Sequence, residues 1–166
     1  MPGKSTLKGI NDQIAMEFSA AYTYLAMSGY LETQNLPGFA AWMRHQYEEE
    51  LTHALRLFDF LGEVGEAVQL QAVPKPPATF KGALDVMKKA LAHERKVTAA
   101  IHKLYESAMK EKHYPAQLML QWFVDEQVEE EKTVTEIIAK LEMIGDHGPA
   151  LLMLDRELAS RSISAE

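Results

Sequence analysis

The segment Glu63-Val64-Gly65-Glu66-Ala67-Val68-Gln69-Leu70-Gln71-Ala72-Val73-Pro74-Lys75-Pro76-Pro77-Ala78-Thr79 places three prolines within four residues and a glycine near its start. Proline removes a backbone donor and clashes with the preceding turn, so this stretch is not a helix. Its seventeen residues span roughly 56 Å when extended. A bundle helix of about 25 residues is about 38 Å long. The segment is therefore long enough to run the full length of its neighbours and set the helices before and after it parallel. The other connections are short, which makes their flanking helices antiparallel.

On either side of this segment, apolar residues recur at alternating three- and four-residue steps, the helix period. A first helix is expected over about 5–33, with Ser5 as its N-cap and Asn35-Leu36-Pro37-Gly38 as its end. A second covers about 37–61 and is closed by Gly62. The third runs from Phe80 to about Lys110. A fourth follows the turn His113-Tyr114-Pro115 and reaches about Ile144. Gly145-Asp146-His147-Gly148 stops it, and a short fifth helix is expected over about 149–160. The expectation is an all-α four-helix bundle with one long crossover between helices two and three. One domain fills residues 1–166, with the bundle at about 5–144.

Composition narrows the function. The chain has 166 residues, 47% hydrophobic, with a net charge of −7 and no cysteine. A sequence-independent nucleic-acid binder needs a basic face, so that class is excluded, while an acidic chain attracts cations. Without cysteine there are no thiolate zinc or iron sites. Neither an apolar signal run in Met1 to Leu7 nor an 18-residue apolar stretch occurs, so a cytoplasmic protein without membrane contact is expected.

Each helical seam is interrupted by a carboxylate. Glu17 follows Leu7, Ile10 and Ile14; Glu50 and His53 lie between Met43 and Leu57; Glu94 lies between Met87 and Ile101; Glu130 lies between Phe123 and Val134. All four acids fall within two residues of their helix midpoints, about 3 Å along the axis, so they meet at one level of the core. None of the seam positions is Lys or Arg. Burying four unpaired charges is prohibitive, and two divalent cations would balance them. His53, one turn from Glu50, adds a nitrogen ligand. Mixed carboxylate and imidazole donors suit iron or manganese and leave positions open for oxygen. Tyr24, two turns beyond Glu17 on the same face, is placed to fill the core with its hydroxyl on a ligand. Leu84, Leu91, Thr98 and Tyr105 are expected on the inner seam of the third helix. Trp122 is read as core packing, and His45, His93, His102, His113 and His147 as surface residues.

The stretches Tyr47-Glu48-Glu49-Glu50-Leu51-Thr52-His53 and Gln121-Trp122-Phe123-Val124-Asp125-Glu126-Gln127-Val128-Glu129-Glu130-Glu131, with Glu17, Tyr24 and Glu94, resemble those of the ferritins, specifically the haem-free bacterial type. The resemblance covers essentially the whole chain. It implies ferritin-like topology and a homo-oligomeric cage of twenty-four subunits that stores ferric mineral. It also implies ferroxidase activity, the oxidation of Fe(II) to Fe(III) by dioxygen or hydrogen peroxide. One iron would be held by Glu17, Glu50 and His53, and the second by Glu50, Glu94 and Glu130, with Gln127 hydrogen-bonded nearby. Glu49, Glu126 and Glu129 read by themselves as a solvated acidic face; the resemblance implies that with Glu130 they form a third iron site. It further implies that Tyr24 can supply an electron.

Competing readings differ at particular residues. A bacterioferritin-like chain would carry a second Glu-x-x-His and a methionine after the first motif's Glu. Here Gln127-x-x-Glu130 and Leu51 stand in those places, so no haem is expected. Rubrerythrin-like peroxidases need a cysteine-ligated iron domain. DNA-binding mini-ferritins carry basic tails, for which Lys4 and Lys8 are a poor match. A passive storage cage without oxidation lacks the complete ligand set. Gln127 in place of a histidine also leads to the expectation that the second iron is the more weakly held.

Overall fold

The structure, a computed structural model, describes residues 3–160. Residues 1, 2 and 161–166 of the expected single domain lie outside the described residues. Five helices and no strand occur among the described residues: α1 (Lys4–Thr33), α2 (Pro37–Glu63), α3 (Ala83–Lys110), α4 (Tyr114–Ile144) and α5 (Gly148–Ala159). The fold is all-α, a four-helix bundle with a short fifth helix, and residues 64–82 form its crossover. Ser28 of α1 reaches Ala40 of α2, while Thr6 at the start of α1 reaches Glu111 just beyond α3. Both α2 and α3 are thus antiparallel to α1 and parallel to each other. The crossover has the topology expected from its length.

Three boundaries differ from the sequence reading. Ser5 is not the N-cap of α1: Gly3 occupies that position, and the Glu111 carboxylate accepts from Ser5 N–H (3.2 Å), Thr6 N–H (2.9 Å) and the Thr6 hydroxyl (2.6 Å). A side chain distant in sequence does the capping, which local pattern cannot reveal. Gly62 lies inside α2 rather than closing it; Glu66 N–H reaches back to the Leu61 carbonyl (2.8 Å), and Gly65 N–H to that of Gly62 (3.1 Å). This pair of bonds satisfies the last carbonyls one turn later. Finally, α3 begins at Ala83 rather than Phe80, because Gly82 has φ +96°, outside the helical region. Phe80 instead is buried against the Tyr30 ring at 5.1 Å, where the crossover rejoins α1.

The crossover is fastened at both ends. Asn11 donates to the Gln69 carbonyl (3.0 Å) and accepts from Gln69 N–H (2.8 Å), and Gln71 donates to Asp12 (2.6 Å). At the other end Gly82 N–H donates to the Tyr30 hydroxyl (2.8 Å). The fifth helix packs chiefly on α2. There Asp155 accepts from Phe39 N–H (2.8 Å), satisfying an orphan donor at the start of α2. Gly38 permits this approach: a Cβ there would lie 1.7 Å from the Asp155 carbonyl oxygen.

The core consists of two apolar clusters. One gathers Met27, Leu31, Phe39, Met43, Met87 and Leu141 with Leu154 and Leu158 of α5. The other gathers Ile10, Ile14, Leu57, Leu61, Ile101, Leu120 and Phe123. Between them lies a polar layer. The buried stripe of α3 is Ala83, Val86, Met87, Ala90, Glu94, Val97, Ile101, Leu104 and Ala108. Leu84, Leu91, Thr98 and Tyr105, expected on the inner seam, are half-buried flanks. A bundle helix facing two neighbours buries a stripe wider than one row of positions, so a single row misplaces its edges.

Candidate metal centre

Every seam acid sits in the layer between the clusters. Glu17, Glu50, Glu94 and Glu130 are buried, as are His53, Gln127 and Tyr24. The ligand atoms fall into three groups whose members all lie within 4.8 Å of one another: Glu17–Glu50–His53, Glu50–Glu94–Glu130 and His53–Glu126–Glu130. The first two share Glu50, and the third joins His53 and Glu130 to the half-buried Glu126. Each acid reaches this level because its helix period puts it where a hydrophobe would otherwise point inward.

Among the described residues, no Lys or Arg pairs with these four carboxylates. Burial, then the charges of Glu94, Glu17 and Glu130, pushes the Glu50 carboxyl well above the usual range. Glu130 is raised in the same way by burial and by Glu94 and Glu49. For Glu17, burial outweighs its hydrogen bonds, and Glu94 is pushed up to about 7, again mainly by burial. His53 is lowered to about 4 by burial and by the nearby Arg56 guanidinium, so it is neutral at pH 7 with one ring-nitrogen lone pair available. Its Nδ1 lies 3.3 Å from Glu50 and its Nε2 3.9 Å from Glu126. The donor set fits cations: Glu17 Oε2 is buried with no hydrogen-bond partner, and the Glu17 carboxylate stands in one ligand group with Glu50 and His53. Four carboxylates and a neutral imidazole can hold two divalent ions with charge balanced.

The polar surroundings are specific. The Tyr24 hydroxyl donates to Glu94 Oε1, and burial together with the charges of Glu94, Glu130 and Glu50 keeps that hydroxyl protonated. Gln127 donates to Glu94 Oε2 (3.1 Å), the Glu94 carbonyl (3.3 Å) and Thr98 (3.1 Å). Spacing places the Tyr24 hydroxyl on a ligand, and the resemblance implies that Gln127 is hydrogen-bonded nearby.

The layer opens on one side into a groove of about 1150 Å³ between α2 and α4. Glu49, Glu126, Glu129 and Glu130 line it together. Of these, only Glu126 and Glu130 join a tight ligand group, and the third member of that group is His53. Trp122, expected in the core, is half-buried in the groove wall. The Arg56 guanidinium stacks 3.9 Å from its ring centroid, and the ring meets His53 edge-on at 5.4 Å. A groove beside a buried site needs a wall, and a large amphipathic ring supplies one.

Other histidines depart from the surface reading. His45, His93 and His113 are half-buried, whereas His102 and His147 are exposed. His113 and His147 are N-caps: their Nδ1 atoms accept from Ala116 N–H (3.2 Å) and Ala150 N–H (3.1 Å), each just before a proline in the first helical turn. Histidine is not a usual cap residue, so the sequence carried no warning. Sequence reasoning also missed Gln13, which donates to Glu17 Oε1 (2.8 Å), and gave no role to Gln46, which donates to Glu130 Oε2 (2.7 Å). The signal for Gln46 was its own seam position.

Among the described residues, no helix is long and apolar enough to cross a membrane. A ferritin-like domain matches residues 7–144. The bacterial non-heme ferritin of Staphylococcus haemolyticus is 38% identical over 166 residues, the whole of both chains. That of Staphylococcus aureus is 34% identical over the same span. Among solved structures, an open-pore ferritin from the hyperthermophilic archaeon Archaeoglobus fulgidus superposes with a TM-score of 0.95 at 43% identity, covering 96% of this chain and 98% of that one. With a family domain across the bundle, full-length relatives and a shared backbone, this chain belongs to the ferritin family, beside its haem-free members.

Proposed function

We propose that the chain is an iron-storage subunit with ferroxidase activity, taking Fe(II) as substrate and Fe(III) as cargo. The observation that carries this reading is the pair of three-ligand groups sharing Glu50, buried where no Lys or Arg among the described residues balances them. One iron is assigned to Glu17, Glu50 and His53, the other to Glu50, Glu94 and Glu130. Each Fe(II) gives up one electron. Two together reduce dioxygen to the peroxide level, with uptake of two protons, or reduce hydrogen peroxide to two waters, also with uptake of two protons. Carboxylate oxygens favour the harder Fe(III) that results.

The protein residues have separate tasks. Glu50 bridges and fixes the spacing of the two ions. His53, neutral at pH 7, supplies the single nitrogen. Tyr24 and Gln127 orient Glu94 from two sides, and Tyr24 would supply an electron to the oxidant as it is reduced. The groove acids Glu49, Glu126 and Glu129, with Glu130, form a third iron position on the way out. The family's assembly into a homo-oligomeric cage of twenty-four copies, in the cytoplasm, completes the reading.

Rapid-mix oxidation of Fe(II) under oxygen tests it. Wild type is expected to show a fast phase that Glu50→Ala and Glu94→Ala lose. Equal fast phases in all three would leave a passive cage as the better account.

A further inference from the structure

Glu17, Glu94 and Glu130 share a feature that no charge argument requires. Each has one carboxylate oxygen engaged by the side-chain amide of a buried glutamine. Gln13 Nε2 donates to Glu17 Oε1 at 2.8 Å, Gln46 Nε2 to Glu130 Oε2 at 2.7 Å, and Gln127 Nε2 to Glu94 Oε2 at 3.1 Å. All three glutamines are buried. Glu17 Oε2 is buried without a hydrogen-bond partner.

The placement is regular. Gln13 lies four residues before Glu17 on α1, and Gln46 lies four residues before Glu50 on α2. Those helices are antiparallel, so the two amides bound the carboxylate layer from opposite ends of the bundle. Gln13 acts within its own helix, whereas Gln46 reaches across from α2 to Glu130 on α4.

The residue type matters as much as the place. A Lys or Arg at either position would orient the carboxylate equally well, but it would neutralise the charge that attracts cations. An amide donates without adding charge. At Glu17 and Glu130 it also takes up a lone pair of one oxygen, which favours a cation at the other.

We propose that Gln13 and Gln46 are positioning residues, each holding one ligand carboxylate in a one-oxygen binding geometry and each serving a different metal position. Gln13 serves the Glu17–Glu50–His53 position, and Gln46, through Glu130, serves the Glu50–Glu94–Glu130 position and the His53–Glu126–Glu130 group that shares Glu130. This inference rests on the metal-centre reading above.

Zn(II), which does not oxidise, is the probe, used with the full chain. Its occupancy at the two positions is read from anomalous diffraction of crystals equilibrated at graded zinc concentrations, and its affinity in solution by calorimetry. Losing a partner that orients a ligand costs on the order of 10-fold or more in metal affinity. Gln13→Leu is expected to weaken the Glu17 position by about 10-fold and leave the Glu94 position unchanged; Gln46→Leu is expected to do the reverse. Gln117→Leu, whose amide donates to the Ala108 carbonyl away from the layer, is expected to change neither. Where a leucine variant fails to fold, Gln→Asn withdraws the amide by one methylene and is read in the same way. A merely structural role would shift both positions together or neither, and either result overturns the proposal. Wild-type crystals without zinc at either position would instead overturn the metal-centre reading, and the proposal with it.

Discussion

The carboxylate layer and the apolar clusters on either side of it occupy the same four helices, yet opposite physics holds them. In the clusters, Leu31, Phe39, Met43, Ile101 and Phe123 are removed from water almost completely, and every contact favours the folded chain. In the layer, the same helices bury four carboxylates that raise one another's affinity for protons. A fold can carry such a layer only because the flanking clusters supply the stability that the layer withholds. On the proposed reading, bound cations would relieve this repulsion. Stability and function are thus divided along the bundle axis, a few helical turns apart.

The comparison breaks first at the shared ligand. Glu50→Gln removes one charge from both ligand groups while keeping its volume. Rapid Fe(II) oxidation should fall by about 100-fold or more, since metal positioning contributes several kcal/mol. The metal-free protein should at the same time melt higher at pH 7. A lower melting temperature would contradict the claim that the layer costs stability.

Leu31→Ala is the complementary change in a flanking cluster. It should destabilise the fold by about 2–5 kcal/mol, read from denaturant unfolding, while the number of metal ions bound per chain stays the same. A changed stoichiometry would mean that the two regions are not separable.

The pH dependence should sharpen the contrast further. Glu94 is pushed up to about 7 from an ordinary value of 4.5. The folded chain therefore keeps a proton there that the unfolded chain releases. This contribution is fully present below about pH 4.5 and is lost as pH rises through about 7. The metal-free melting temperature should fall across that window, and Glu94→Gln should flatten the fall. His53, lowered to about 4, acts at the other edge, losing stability as pH drops from 6.5 toward 4.

The smallest effect concerns α5, which touches one cluster and not the layer. Asp155→Ala removes the acceptor of Phe39 N–H and should cost about 1 kcal/mol in a thermal melt without altering oxidation.

Much of this contrast was legible in the sequence because it depends on period. Helical spacing put Glu17, Glu50, His53, Glu94, Gln127 and Glu130 on inward faces at one height, and the proline-rich crossover fixed the direction of α3. What stayed hidden depends on residues far apart in sequence. Glu111 caps α1 from beyond α3 and Asp155 caps α2 from α5, and no local pattern marks either; the seam position of Gln46 marked it as inward, but not that it reaches Glu130 across the bundle. The groove is another such case. Trp122 has the size of a core residue, and only the packing of α2 against α4 shows that it walls an opening beneath Arg56. The edges of the α3 stripe slipped for a related reason: its second neighbour widens the buried face beyond a single row.

The central claim is that cations complete this layer. Its most direct test is anaerobic calorimetry of the metal-free protein at pH 7, titrated with Fe(II). A ligand that binds only the folded state stabilises it by mass action. The melting temperature should rise steeply to about two ions per chain and then level off, and Glu50→Gln should abolish most of the rise. A melting temperature indifferent to Fe(II), or an equal rise in Glu50→Gln, would contradict the account.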